Sequence, residues 1–221
     1  MTHNKISNWI LYKNNQLIAF NKPPTLPVQP DKSDSKSLLE LGEIYAKAKL
    51  QLLHRIDRPA SGIVLFGKTP KATRILNAQF QARTIQKNYL AVVKNPPPKK
   101  KGQLVHYLQK NAKYNKSYCQ LQPKKGAKEA ILAYELISSS DNYHLLAIEL
   151  KTGRHHQIRA QLAAIGSPIK GDVKYGARRG NKDRSIHLHA WKLGFAHPVT
   201  GELITLQADV PEDVVWQAFE V

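Results

Sequence analysis

The chain has 221 residues, 42% of them hydrophobic, which is enough to bury a sizeable core. Its 34 Lys and Arg against 16 Asp and Glu leave a net charge of +18, which argues against an enzyme of small neutral metabolites and for a polyanionic partner. The lone Cys119 excludes an intramolecular disulfide framework and a cysteine metal cluster; with no secretory h-region and no apolar run near the ~20 residues of a membrane helix, a reducing cytoplasm and no membrane are expected.

In chain order, residues 9–21 read as two short strands around the turn Lys13-Asn14-Asn15, and Lys22-Pro23-Pro24 halts the second. Ser37-Leu38-Leu39-Glu40 fits a capping box, and Leu38, Leu41, Tyr45 and Ala48 recur at helical spacing, which predicts a helix over 37–49 leading to a short apolar strand before His54. The unbroken apolar run 62–67 predicts a strand buried on both faces. Thr69 and Pro70 start a helix whose stripe is Ala72, Ile75, Leu76 and Phe80, and 85–93 is a strand carrying Tyr89.

Residues 95–126 are rich in Pro and Lys at both ends and predict an excursion, a long loop or hairpin. Strands return near 128–138 and 143–151, and a helix over 154–165 stops at Gly166. Strands at 186–195 and 203–208 follow, joined by the turn His197-Pro198-Val199-Thr200-Gly201. Strands outnumber helices and short turns join many of them, so an α+β fold with a largely antiparallel sheet is expected, as one domain over 1–221.

Asp57, in His54-Arg55-Ile56-Asp57-Arg58-Pro59-Ala60-Ser61-Gly62, stands at the end of a predicted strand and between two arginines that favour its ionised form, as a nucleophile or general base requires. Taken alone, an aspartate in such a turn is more readily a structural ion pair or an Asx-turn residue. The second group is Thr152-Gly153-Arg154-His155-His156-Gln157-Ile158-Arg159. On the predicted helix Ile158, Leu162 and Ile165 form the core-facing stripe, with Arg159 about 100° round from Ile158 and His155 one turn before it. An arginine at that margin either enters a cleft to pair with a carboxylate or phosphate, or extends to water. Histidines are numerous, but no His-Glu-x-x-His is present and neighbours on a helix diverge by about 100°, so no metal is expected. A P-loop, a Gly-x-Gly-x-x-Gly turn and a Gly-x-Ser-x-Gly elbow are also missing.

Together, four segments resemble the RluA-type pseudouridine synthases: residues 17–28 with Asn21-Lys22-Pro23, the Asp57 run, Arg83-Thr84-Ile85-Gln86-Lys87-Asn88-Tyr89-Leu90-Ala91, and residues 152–159 continued by 166–172 and Tyr175-Gly176. The resemblance implies a mixed, mainly antiparallel sheet in two halves with flanking helices and a central RNA-binding cleft. It also implies isomerisation of uridine to pseudouridine within rRNA or tRNA, without cofactor or metal, by a monomer.

By the same resemblance Asp57 attacks the ribose anomeric carbon, Tyr89 stacks on the uracil, and Arg159 pairs with Asp57. Arg55 enters the space left by the extruded base and His54 shapes the loop. Arg58, Arg154, His156, Gln157 and Lys22 complete the expected substrate-binding set. Ala60, His155 and Ser167 depart from the usual residues at their positions, and no N-terminal S4 module is expected ahead of the opening strand. Ten lysines and no acid occur over 94–128, interleaved with Tyr107, Tyr114 and Tyr118; with Lys174, Arg178, Arg179, Lys182 and Arg184 they are candidates for phosphate contacts. Two other classes remain open: an RNA-binding or ribosome-assembly protein of the same fold without activity, and a hydrolase acting on nucleic acid.

Overall fold

The computed structural model describes residues 6–31 and 35–219. The chain divides into two compact units, one made of residues up to Gln86 with Ala190–Pro211, the other of Lys87–His189 with the segment from Glu212.

In the first unit a 3-10 turn, Ile6–Trp9, leads into the hairpin of β1 (Ile10–Lys13) and β2 (Leu17–Lys22). The Asn14 side-chain oxygen closes its turn by accepting the N–H groups of Gln16 and Leu17, both at 2.8 Å. β2 runs antiparallel to β4 (Ser61–Gly67), and β3 (Gln51–Leu52) pairs with the far end of β4. Every residue of β4 is buried, as its unbroken apolar run requires.

The capping box at Ser37 forms as expected and starts α1 (Leu38–Ala46). This helix ends sooner than its sequence pattern, because Lys47 turns left-handed and Glu43 takes the N–H of Leu50. Thr69 caps α2 (Pro70–Ala82), whose Ala72 and Leu76 pack with Leu17, Ile63, Leu65, Leu193, Phe195 and Leu206. Those last three lie on β10 (Leu188–Ala196) and β11 (Leu203–Gln207), an antiparallel hairpin whose turn is held by His197 Nδ1 accepting the Val199 and Thr200 N–H groups. Each fully buried Leu or Phe of this cluster contributes ~1.5–3 kcal/mol.

In the second unit the strands β5 (Gln86–Val93), β6 (Lys101–Asn111), β7 (Lys116–Gln120), β8 (Lys128–Ser139) and β9 (His144–Leu150) pair antiparallel in the spatial order β5-β9-β8-β6-β7. The excursion at 95–126 is therefore a hairpin, β6–β7, continuous with this sheet. α3 (Gln157–Ala164) is buried at every position from Gln157 to Leu162. A 3-10 turn, Val173–Tyr175, and the short α4 (Val214–Gln217), capped by Asp213, complete the unit. Strands dominate and helices are few: the fold is α+β, and all the pairings named are antiparallel.

Candidate active site

Asp57 occupies the loop between β3 and β4, where Ala60 N–H closes a turn on the Asp57 carbonyl at 3.1 Å. It is half-buried, between the buried Ile56 and the exposed Arg58. Two side chains fix the loop from below. His54 Nε2 accepts the N–H of Leu65 on β4 at 3.1 Å, and its ring packs on Phe80 of α2 at 5.1 Å. Lys22, at the end of β2, is 0% exposed, and its ammonium lies within hydrogen-bond reach of four carbonyls: Pro23 (2.9 Å), Leu26 (2.9 Å), Arg58 (3.2 Å) and Ala60 (2.6 Å). Two of these belong to the Asp57 turn.

Burial pushes the Lys22 amine down to about 7, against the pull of the Asp57 carboxylate and with a smaller push from Arg58. In this placement the amine is sealed and occupied by backbone carbonyls, and it braces the loop. Arg58 donates to the Thr25 carbonyl and to Asp31, both at 2.9 Å, while Arg55 is exposed. After the turn Gly62 sits at φ +109, and a Cβ there would lie 2.3 Å from the Ala190 carbonyl oxygen. Only glycine fits.

In the second unit Tyr89 is on β5, opposite Ile148, with 9% of its surface exposed. The stretch before α3 differs from the expected helix over 154–165. His156 is left-handed at φ 53, so Thr152–His156 form a loop and α3 begins at Gln157. Gln157 holds that loop: its oxygen accepts from Thr152 Oγ1 (2.8 Å) and Arg154 N–H (2.9 Å), and its amide donates to the Ile131 carbonyl (3.1 Å). At 3% exposure it braces the loop. Arg154 donates through Nε to the Glu129 carbonyl at 2.9 Å. Because both histidines precede the helix, their rings do not diverge but stack, with centroids 3.8 Å apart. His156 Nδ1 is 3.1 Å from the Tyr175 hydroxyl; burial, then the Arg159 charge, push it down to about 2, and the ring is neutral.

Arg159 is in the core, 5% exposed, and does not extend to water. It makes a bidentate pair with Asp172, Nε to Oδ2 at 2.6 Å and a terminal N to Oδ1 at 2.8 Å, and its guanidinium lies 5.0 Å from the Tyr175 ring centroid. Asp172 is 1% exposed. Among the described residues no three His, Cys, Asp or Glu side chains converge as a metal set. Burial raises the Cys119 thiol to about 11, so it stays a passive strand residue.

Residues 16–164 match the family described as RNA pseudouridylate synthase. The chain belongs to the RluA-type RNA pseudouridine synthases. It is 33% identical to tRNA pseudouridine synthase C of Yersinia pestis, over 94% of this chain and 88% of the relative, and 30% identical to the protein of the same name from Haemophilus ducreyi, over 94% and 92%. In fold it is similar to human RNA Pseudouridylate Synthase Domain Containing 4, with a TM-score of 0.78 and 23% identity over 96% of this chain and 92% of that one. As a pseudouridine synthase it is an RNA isomerase, and among its described residues no helix is long and apolar enough to cross a membrane.

The sequence reading of this pseudouridine synthase gave no role to Asp172 and Tyr175. Their signal was present in the stretch after α3, where an acid and an aromatic follow a glycine-bearing turn. What linear spacing does not show is that the chain returns at residues 172–175 to meet the side chains of His156 and Arg159.

Proposed function

We propose that this pseudouridine synthase isomerises selected uridines in rRNA or tRNA with Asp57 as its nucleophile, and that it does so in the cytoplasm. The observation that carries the reading is the seat of the Asp57 turn. A half-buried carboxylate stands on a backbone fixed by a fully buried ammonium and by the His54 ring, so it is presented without freedom to wander.

The Asp57 carboxylate attacks the ribose anomeric carbon of the target uridine as the bond to uracil N1 breaks. The detached uracil carries the electron pair away, turns, and bonds through C5 to the anomeric carbon. The carboxylate leaves as C5 bonds, the C5 proton is released to solvent, and N1 takes up a proton, so that the product is an isomer of the starting uridine. Tyr89 offers the uracil an aromatic face, and Arg159 pairs with Asp57 and orients it. A guanidinium already aligned by Asp172 suits that task, because its orientation is set before RNA arrives. Arg55, exposed beside Asp57, fills the gap left by the extruded base.

Tritium release from 5-tritiated uridine in rRNA and tRNA pools tests the reaction, and pseudouridine mapping across both pools with and without the gene identifies the target. Asp57→Asn is expected to abolish release while leaving RNA affinity within about twofold. Full activity in Asp57→Asn would overturn the nucleophile assignment; tight RNA binding by the native chain with no release from any pool would point instead to a binding protein.

A further inference from the structure

The tip of the β6–β7 hairpin carries features that the reaction does not use. Tyr114 and Tyr118 leave 59% and 45% of their surface in solvent, in a segment from 94 to 128 that has ten lysines and no acid. A lysine ammonium stands beside each ring: Lys113 is 5.6 Å from the Tyr114 centroid, and Lys116 is 5.6 Å from that of Tyr118. Exposed aromatic rings flanked by cations match the chemistry of an unpaired nucleic-acid strand, whose bases stack on the rings while phosphates meet the ammonium groups. A paired helix would leave the rings without bases to receive.

The tip is also preorganised. Its turn is closed by Asn115 N–H on the Ala112 carbonyl and by Tyr114 N–H on the Asn111 side chain, both at 3.2 Å. It is then tied to the loop before α3. His155 reaches Ser117 Oγ with Nδ1 (2.9 Å) and Asn115 Oδ1 with Nε2 (3.1 Å), Ser117 N–H donates to the Tyr175 hydroxyl (2.8 Å), and Lys174 donates to the Tyr114 and Asn115 carbonyls (3.4 and 3.3 Å). A loose surface hairpin needs no such tethers. They fix the tip relative to His156 and Tyr175, the same residues that adjoin Arg159.

We propose that this hairpin tip is a docking surface for an unpaired RNA segment, with Tyr114 and Tyr118 as stacking faces, Lys113 and Lys116 as phosphate contacts, and His155 as the positioning residue that holds the tip. The surface takes from the preceding reading that RNA is the substrate, but not that Asp57 is the nucleophile. Binding at the tip places an unpaired stretch of the substrate on a platform rigid with the Arg159 loop, so that RNA folded without such a stretch is passed over.

The test uses the full chain and fluorescence anisotropy with two labelled probes, an oligouridine of about twelve nucleotides and a fully paired RNA hairpin of equal charge. Circular dichroism and melting first establish that each variant keeps the native fold, since Lys113, Tyr114 and Tyr118 are exposed but Lys116 and His155 are half-buried. Tyr114→Ser with Tyr118→Ser is expected to weaken the single strand about tenfold or more and the paired probe less than twofold. Lys113→Gln with Lys116→Gln should make the slope of log affinity against log salt shallower by about 1.4 for the single strand. His155→Ala should reproduce part of the single-strand loss without touching RNA itself. Single-strand affinity within twofold of native in the tyrosine variant overturns the surface, as does an equal loss for both probes, which would indicate undirected charge. Unchanged RNA affinity together with loss of binding to an acidic protein would assign the tip to a protein partner and also overturn it. None of these readings depends on isomerisation, so failure of the Asp57 assignment leaves them standing.

Discussion

Replacing Asp172 by asparagine removes the charge that Arg159 meets in the core while keeping the shape of the side chain. The two groups are 1% and 5% exposed and are joined by two short hydrogen bonds, so water cannot substitute for the lost carboxylate. Breaking a buried pair on one side typically costs ~3–5 kcal/mol, here because the guanidinium loses the bidentate carboxylate that aligns it. For a chain of this size that corresponds to a fall of about 6–20 °C in Tm, readable by circular dichroism, with urea midpoints as a second measure. Tritium release should fall further than stability alone accounts for, since the guanidinium loses its alignment. A double variant, Arg159→Met with Asp172→Leu, separates the two effects: apolar replacement should restore stability to within ~2 kcal/mol of native but not activity. An Asp172→Asn chain within ~1 kcal/mol of native and with native tritium release would refute this account of the pair.

Lys22→Met leaves the carbonyls of Pro23, Leu26, Arg58 and Ala60 without their donor, so a loss of ~3 kcal/mol is expected, with kcat falling more than RNA affinity; single-turnover rates beside anisotropy decide it. Gly62→Ala forces a Cβ against the backbone of Ala190 at a φ of +109, and should cost more than ~3 kcal/mol or prevent soluble expression; a native-like melt would contradict the close approach. His156 resists protonation down to about 2 in the native chain, whereas the unfolded chain takes the proton near 6.5. Its contribution is thus complete above about pH 6.5 and is lost as pH falls below it, with a slope of at most ~1.4 kcal/mol per pH unit, reduced by screening because the ring is half-exposed. His156→Gln should flatten the native stability profile between about pH 6 and 4 in urea titrations; an unchanged profile would remove His156 as the cause.

What was legible in the sequence was what is set locally. The Ser37 capping box, the Thr69-Pro70 helix start, the Asn14 turn and the buried run of β4 each depend on a few neighbouring residues and formed as read. The start of α3 was not legible, because His156 is held left-handed beside Tyr175, nineteen positions further on, and not by its sequence neighbours. Arg159 was placed at a margin because a helical wheel cannot show a carboxylate delivered by another segment. The burial of Lys22 was not legible for a related reason: a lysine at a strand end usually reaches solvent, and nothing in the strand pattern shows four carbonyls turned inward to meet it. The hairpin at 101–120 was blurred by the proline-rich and lysine-rich stretches around it, although its inner strand pairs regularly with β8.

The division of the chain into nested segments has a consequence for its synthesis. The first unit needs residues 190–211, which follow nearly all of the second unit in translation order. At the usual ~5–20 residues per second, the roughly 125 residues between Gln86 and Pro211 take about 6–25 s to emerge, and during that time β4 lacks its sheet neighbour β10, and Leu17, Ile63 and Leu65 lack the apolar contacts of Leu193, Phe195 and Leu206. Nascent chains halted before residue 190 should therefore expose that surface and engage holdase chaperones, whereas those carried past 211 should release them.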